Sequence, residues 1–208
     1  MDRAPIVPYI TRWSGEESLP TTVIQRPTGI AFADENIYDR DARGILWSRV
    51  ASRPGQGRPE FGKVHPRRQR RAMEQLLCQV CAGPSDISSQ GTLWLIPDYP
   101  GYHQDWPDWP ERLATTEPPI CQPCADTALR LCPALRNGNL TLRVARSTVS
   151  GIYGARYRPG PIVPKSHRRR HPPLRGPRHP LDLRRPRGPR THRLHHPETQ
   201  LIALNSSR

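Results

Sequence analysis

Two pairs of cysteines, each with two residues between its members, constrain this chain more than any other feature of its sequence. The first pair is Cys78 and Cys81, the second is Cys121 and Cys124, and 39 residues separate the pairs. A two-residue spacer lets both sulfurs of a tight turn point at one ion, and two such pairs supply the four tetrahedral ligands that Zn²⁺ prefers. The spacing therefore predicts a structural zinc site formed by these four cysteines.

A redox dithiol and a disulfide framework are the alternatives for such cysteines. The first residues lack the charged and then apolar layout of a secretory signal, and no apolar run has the length of a membrane span. We therefore expect a cytoplasmic protein, in which thiols stay reduced and hold metal more readily than they form disulfides. The chain has five cysteines, so one remains outside either scheme.

The composition indicates a modest folded region with poorly ordered ends. Hydrophobic residues make up 35% of the 208 residues, 26 residues are proline, and the mean hydropathy is −0.73. Parts of such a chain bury too little apolar surface to offset the entropy lost on ordering. The expected regions are an extended N-terminal segment (1–20), a β meander (21–52), a linker or loop (53–65), a zinc-binding α+β module packed with the meander (66–158) and a disordered tail (159–208).

Three short antiparallel strands are expected in the meander. Residues 21–26 and 45–50 contain β-branched and aromatic side chains, residues 29–33 alternate in polarity, and turn residues separate the three runs. Phe32 and Trp47 are interpreted as core residues of this meander rather than as ligand contacts.

An amphipathic helix is expected from Pro66 to Leu77, immediately before the first cysteine pair, because proline suits a first helical turn and no breaker follows. At 100° per residue, four apolar side chains share one arc and four arginines share the opposite side. The two sets are Ala72, Met73, Leu76 and Leu77, and Arg67, Arg68, Arg70 and Arg71. The arginines are interpreted either as a solvated face that offsets the charge of a four-thiolate zinc centre or as contacts to nucleic-acid phosphates.

The region between the cysteine pairs contains a strand and an aromatic stretch. Residues 91–96 predict a strand that ends at Pro97. Residues 98–110 hold four aromatic side chains on which bases could stack, but also three aspartates that repel phosphate. We interpret the rings as a lid over a small zinc-centred core. The four aromatic residues are Tyr99, Tyr102, Trp106 and Trp109.

The second pair is expected to begin a helix that runs toward Asn137 and Gly138, so that the helix dipole favours a thiolate at Cys124. Cys132 lies about 12 Å further along that helix axis and is interpreted as a buried core thiol beside Leu129 and Leu135, outside the zinc site. Residues 139–146 predict a strand, and residues 149–157 a further short one.

The basic charge is concentrated at the C-terminal end. Residues 165–208 hold 12 lysines and arginines against two acids, which accounts for +10 of the net charge of +14. This arginine-, proline- and histidine-rich stretch shows no periodicity and predicts disorder. It is either a basic tail that binds nucleic acid electrostatically or an accidental extension produced by an out-of-frame GC-rich reading.

The chain resembles a family of small actinobacterial proteins with two C-x-x-C pairs, for which no activity is established. The segments that carry the resemblance include Gly44-Ile-Leu-Trp-Ser-Arg-Val, Leu77-Cys-Gln-Val-Cys-Ala-Gly-Pro and Pro119-Ile-Cys-Gln-Pro-Cys-Ala. The layout of a cysteine knuckle, a strand and a second pair opening a helix is also similar to treble-clef zinc modules, among them HNH nucleases. An HNH-like nuclease needs a general-base histidine, and His103 is the only histidine between the pairs.

These observations predict an α+β fold of short antiparallel strands and two short helices around a Cys₄ zinc module. A closed set of four cysteines leaves no coordination position for a substrate, so we expect a non-enzymatic protein that acts by binding. DNA or RNA, contacted through residues 67–77, is the first candidate partner. A protein-interaction adaptor is the alternative, and an HNH-like nuclease that uses His103 is a third hypothesis.

Overall fold

The computed structural model describes residues 6–27, 29–98, 109–158, 165–167 and 199–206. These residues form the predicted α+β fold of short antiparallel sheets and two helices. The strands are β1 (Thr11–Trp13), β2 (Val23–Arg26), β3 (Gly29–Phe32), β4 (Pro59–Val64), β5 (Ile87–Ser88), β6 (Gly91–Pro97), β7 (Leu113–Thr115), β8 (Asn139–Tyr153), β9 (Arg156–Arg158), β10 (Lys165–His167) and β11 (Thr199–Ser206). The helices are α1 (Pro66–Glu74), α2 (Gln122–Leu131) and a 3₁₀ turn (Pro133–Leu135).

The largest sheet is antiparallel and has the strand order β5-β6-β8-β11-β7. Strand β6 pairs with β8 from Thr92 opposite Val144 to Pro97 opposite Asn139. Both faces of β6 are covered, which explains why its sequence is an uninterrupted apolar run rather than an alternating one. The strand predicted at residues 91–96 is therefore confirmed.

Alternate side chains of β6 enter two separate hydrophobic clusters, because successive side chains of a strand point to opposite faces. On one face Trp94 and Ile96 pack with Met73 of α1 and with Leu142 and Val144 of β8. On the other face Leu93 and Leu95 pack with α2, the 3₁₀ turn and the first cysteine, through Cys78, Ile120, Ala125 and Leu135. The cysteine pairs lie on this second face.

The N-terminal part differs from the expected meander. Strands β2 and β3 pair as a hairpin, but residues 45–50 form only isolated bridges, from Leu46 to Arg40 and from Val50 to Ser18. Side-chain contacts hold this segment instead: Arg49 binds Asp39 and Asp34, and the amide of Trp47 donates to the carbonyl of Asp39 at 2.8 Å. The prediction of a third strand is therefore wrong. Phe32 and Trp47 are nevertheless buried, as predicted.

Two segments expected to be irregular pair with each other. Strand β1 lies inside the N-terminal segment 1–20, and β4 lies inside the proposed linker 53–65. Neither short run shows a strand period strong enough to compete with its prolines and glycines. The pairing depends on contacts across about 50 residues of sequence, which a local pattern does not contain.

Both helices end earlier than predicted. Helix α1 stops at Glu74 because Leu76 adopts a positive φ of 50°, and the amide of Leu77 then donates to the carbonyl of Ala72. Helix α2 stops at Leu131 because Pro133 has no amide hydrogen and disfavours the helical conformation of the residue before it. The predicted strands at 139–146 and 149–157 are largely one strand, β8.

Most of the expected disordered tail, 159–208, lies outside the described residues. Two stretches of it form strands: β10 pairs with β9, and β11 lies between β8 and β7. These two strands are the only parts of residues 159–208 that the structure describes. Residues 199–206 contain Leu201, Ile202 and Leu204 and no arginine or proline, so their composition differs from that of the preceding residues.

Candidate metal centre

The four cysteines of the two C-x-x-C pairs converge on one point against the α2 face of the largest sheet. Their sulfur atoms all lie within 4.8 Å of one another, and the sulfurs of Cys81 and Cys121 are 3.9 Å apart. Cys78 is buried, Cys81 is exposed, and Cys121 and Cys124 are half-buried. The structure thus brings together all four predicted residues in a group that can hold a metal ion.

The first pair lies in a tight turn that follows α1. The amide of Ala82 donates to the carbonyl of Cys78 at 2.9 Å, and the amide of Cys78 donates to the carbonyl of Gly83 at 2.7 Å. Ala82 has a φ of 62°, a left-handed conformation that closes the turn. The amide of Val80 lies 3.4 Å from the sulfur of Cys78, so the turn offers an N–H group to a thiolate.

The second pair lies at the N-terminus of α2, as predicted. Cys121 is the N-cap residue, with an extended backbone (φ −89°, ψ 155°), and Cys124 lies in the first turn. Pro123 between them costs no hydrogen bond, because the first amides of a helix have no acceptor within the helix. The positive end of the helix dipole favours the thiolate form of a cysteine placed there.

Backbone hydrogen bonds around Ile120 hold the two pairs in register. The amide of Ile120 donates to Leu93 of β6 at 3.0 Å, and its carbonyl accepts from Asp86 at 3.1 Å. The amide of Gln79, inside the first pair, donates to the carbonyl of Pro119 at 2.9 Å. Because Ile120 is 1% exposed, these bonds are shielded from water, and the sheet positions both pairs.

The turn of the first pair also binds the N-terminal part of the chain. The amides of Tyr9 and Ile10 donate to the carbonyls of Val80 and Gln79 at 2.9 and 3.2 Å. The cysteine group therefore lies where the N-terminal segment, the sheet and α2 meet.

Cys78, Cys121 and Cys124 have opposing electrostatic preferences. Burial alone would raise the pKa of Cys78, but backbone N–H groups of Cys121, Cys81 and Val80 bring that pKa below its ordinary value. Burial raises the pKa of Cys121 and of Cys124, and neighbouring sulfurs raise the pKa of Cys124 further. One thiolate thus disfavours the next, and a bound cation removes that conflict because each thiolate then coordinates positive charge.

Cys132 does not belong to this group, as predicted from its spacing. It lies at the C-cap of α2 and packs against the hydrophobic cluster of Leu135. The expectation of a buried core thiol is corrected in two respects, because Cys132 is only half-buried and Leu129 is 41% exposed. The helix ends at the preceding residue, which turns this part of the chain toward the surface.

The four arginines of α1 do not share one solvated face. Arg67 and Arg71 are exposed, whereas Arg68 is 7% exposed and forms an ion pair with the carboxylate of Glu16 at 2.7 Å. The guanidinium of Arg70 lies over the ring of Trp47, 4.5 Å from its centroid. Residues of the N-terminal part of the chain thus contact Arg68 and Arg70, on the side of α1 that was expected either to be solvated or to contact phosphates.

Two buried polar residues were missed by the sequence analysis. Glu16 is 0% exposed and accepts hydrogen bonds from the amides of Trp13 and Arg53 and from the guanidinium of Arg68. Burial alone would raise the pKa of Glu16, but these bonds lower it to about 2. Glu16 and His65 lie in two segments that are rich in proline and glycine, 1–20 and 53–65. No periodic pattern in these segments indicated that either residue would be buried.

His65 is also 0% exposed and precedes α1 as its N-cap residue. Its Nε2 lies 3.2 Å from the carbonyl oxygen of Ala51, and its Nδ1 has no partner among the described residues. Burial, and then the positive charge of Arg68, lower the pKa of His65. Both effects favour the neutral form of the ring.

Other residues named from the sequence lie outside the described part of the chain. These are His103 and three of the four aromatic residues of the predicted lid, Tyr99, Tyr102 and Trp106.

Comparisons of the chain with protein-family models, with curated proteins and with solved structures find no match. None of the helices in the described residues combines the length and the apolar character needed to cross a bilayer.

Proposed function

We propose that the cysteine group holds one structural Zn²⁺ and that the protein is a non-enzymatic, nucleic-acid-binding protein. A zinc ion bound by four sulfurs at about 2.3 Å places those sulfurs about 3.8 Å apart. The sulfurs here lie within 4.8 Å of one another, with one pair at 3.9 Å. A tetrahedral set of four thiolates is a donor set suited to zinc, and it leaves no position for a substrate.

The observation that carries the nucleic-acid proposal is a group of exposed arginines without acidic partners. Among the described residues, the side chains of Arg53, Arg58 and Arg67 form no ion pair or hydrogen bond. Arg71 is exposed as well, and within the described part of the chain its guanidinium contacts only the neutral side chains of Gln75 and Tyr9. Unpaired guanidinium groups are suited to phosphate contacts. We call these four residues the basic surface.

Glu16 links the chain segments that carry the basic surface. Its carboxylate accepts a hydrogen bond from the amide of Arg53 and binds Arg68, the neighbour of Arg67. Two residues before Glu16, the amide of Ser14 donates to the carbonyl of Arg58 at 2.9 Å. A buried anion thus fixes the segments from which three unpaired cations project.

Fluorescence anisotropy with a labelled 20-nucleotide DNA, single-stranded or duplex, tests this proposal. Replacing all four residues of the basic surface by glutamine should weaken binding. The slope of the logarithm of the binding constant against the logarithm of the salt concentration should become less negative by about 3, because fewer counterions are released. A matched variant has glutamine at four other exposed arginines and should bind like the wild type. These arginines are Arg26, Arg130, Arg136 and Arg146. Equal losses in both variants would show only a general effect of net charge.

The basic tail is a separate candidate for the same activity. A variant with glutamine in place of the arginines at 168–193 leaves residues 199–206 intact and tests it directly. If only this variant loses affinity, the contacts to nucleic acid belong to the tail and the basic surface is not the binding site.

A protein-interaction adaptor is the second candidate, and one observation favours it. Ile37 and Tyr38 are 84% and 83% exposed at the tip of a turn that Asp39 fixes by accepting hydrogen bonds from Asn36 and Arg49. A rigid apolar tip is suited to a pocket on a protein partner. Salt-insensitive binding to a purified protein that is lost in Ile37→Ser with Tyr38→Ser, without retention of nucleic acid, would favour this function.

A further inference from the structure

Strand β4 contains an irregularity that projects an aromatic ring into solvent. Adjacent residues Thr11 and Arg12 of β1 pair with Val64 and Glu60 of β4, so three residues of β4 are inserted between the paired positions. These residues are Phe61, Gly62 and Lys63, and all three are exposed. Bulges redirect side chains away from the regular alternation of a strand.

Phe61 presents most of its ring to solvent. Its side chain is 60% exposed, although a phenylalanine gains stability by burial. It belongs to neither hydrophobic cluster of the sheet, so the packing of the described core does not require it.

The charged residues near Phe61 in the sequence are suited to an anionic ligand. Lys63 lies two residues away, and the exposed Arg58 and Arg67 lie three residues before and six residues after Phe61. The nearest acid in the strand, Glu60, is neutralised by Lys63 at 2.7 Å and lies 3.8 Å from Arg12. An exposed ring with unpaired arginines at nearby positions of the chain can stack on a base while the long arginine side chains reach the nucleic-acid backbone.

We propose that Phe61 is a stacking platform and that the basic surface binds single-stranded nucleic acid in preference to duplex. This inference rests on the proposed nucleic-acid function. Duplex and single strand both present phosphates to arginines, but in a duplex the faces of the bases are stacked on one another. Only an unpaired base can offer its face to the ring.

Anisotropy titrations with a labelled 12-nucleotide oligothymidine and with a 12-base-pair duplex test the proposal. The wild type should bind the single strand more tightly than the duplex at the same salt concentration. Phe61→Leu keeps an apolar side chain without a ring and should weaken single-strand binding about 5- to 150-fold, with little change for duplex. Ile87→Ala, at a residue 64% exposed on β5, is the matched control and should bind like the wild type.

Phe61→Trp adds a direct readout of stacking. Its additional tryptophan fluorescence, compared with that of the wild type, should be quenched when oligothymidine binds and should remain when duplex binds. Metal content and thermal midpoint of each variant should match the wild type, because Phe61 is exposed.

The possible failures are distinct. If the wild type binds neither probe at low salt, the nucleic-acid function itself fails. If it binds duplex as tightly as single strand, or if Phe61→Leu leaves single-strand affinity unchanged, the stacking proposal is overturned while the proposed function stands.

Discussion

Arg68 and Glu16 form a buried, two-pronged ion pair between residues 52 positions apart. Both terminal nitrogens of the guanidinium donate to the carboxylate oxygens at 2.7 Å, and one of them also donates to the carbonyl of Thr11 at 2.8 Å. The side chains are 8% and 0% exposed. An arginine that was expected to face solvent or a nucleic-acid phosphate thus connects α1 to the N-terminal part of the chain.

Breaking this pair should strongly destabilise the fold. Arg68→Met leaves the carboxylate of Glu16 buried without its cation, and the expected loss in unfolding free energy is about 3–5 kcal/mol. Arg67→Met, at the exposed neighbouring position, should change it by less than about 0.5 kcal/mol. Urea denaturation measures both, and similar small losses in the two variants would contradict the structural role of the pair.

The double variant Glu16→Gln with Arg68→Met provides a further check on the same pair. Because it removes both charges, it should lose less stability than the sum of the two single losses. Strictly additive losses would show that the residues do not act on each other.

Stability should fall as the pH is lowered from about 7.5 to 5.5, because of His65. Burial lowers the pKa of its ring in the folded state, so the unfolded chain takes up a proton first, near pH 6.5. Glu16 contributes little to this window, because its folded pKa of about 2 removes stabilisation only as the pH falls below its unfolded value of about 4.5.

His65→Gln is the variant that isolates this effect. Glutamine keeps a donor for the carbonyl of Ala51 but does not titrate. Urea denaturation at several pH values, at constant metal content, should show a weaker dependence in the variant. Identical dependence in both proteins would assign the effect to other groups.

Arg70 should contribute through its contact with Trp47 rather than through its charge alone. The guanidinium lies 4.5 Å from the ring centroid, and such contacts contribute about 1 kcal/mol. Arg70→Gln should therefore lower the unfolding free energy by about that amount, and Trp47→Leu with Arg70→Gln should show coupling between the two positions. Arg71→Gln, on the exposed side of α1, should lose less, and an equal loss at both positions would contradict the assignment.

The cysteine group, strand β6 and the start of both helices could be predicted because their signals are local. The C-x-x-C spacing fixes which sulfurs can share an ion, and Pro66 and Pro123 mark first helical turns. A Schellman-type end of α1 with Leu76 in place of glycine carries no such signal.

The N-terminal part could not be predicted because long-range polar contacts determine it. Nothing in the sequence near Glu16 indicates that Arg68 will bind it. In the same way, the ion pairs of Arg49 with Asp34 and Asp39 replace the third strand of the expected meander. Such contacts depend on residues that only the folded chain brings together.

Metal content by mass spectrometry under native conditions tests the central claim most directly. Purified protein should carry one zinc per chain, and replacing any one of the four grouped cysteines by serine should lose the metal and lower stability together, because metal binding contributes folding free energy. Cys132→Ser should retain the zinc. Metal-free wild-type protein that is fully folded, or loss of zinc in Cys132→Ser with retention in Cys78→Ser, would contradict the proposed metal centre.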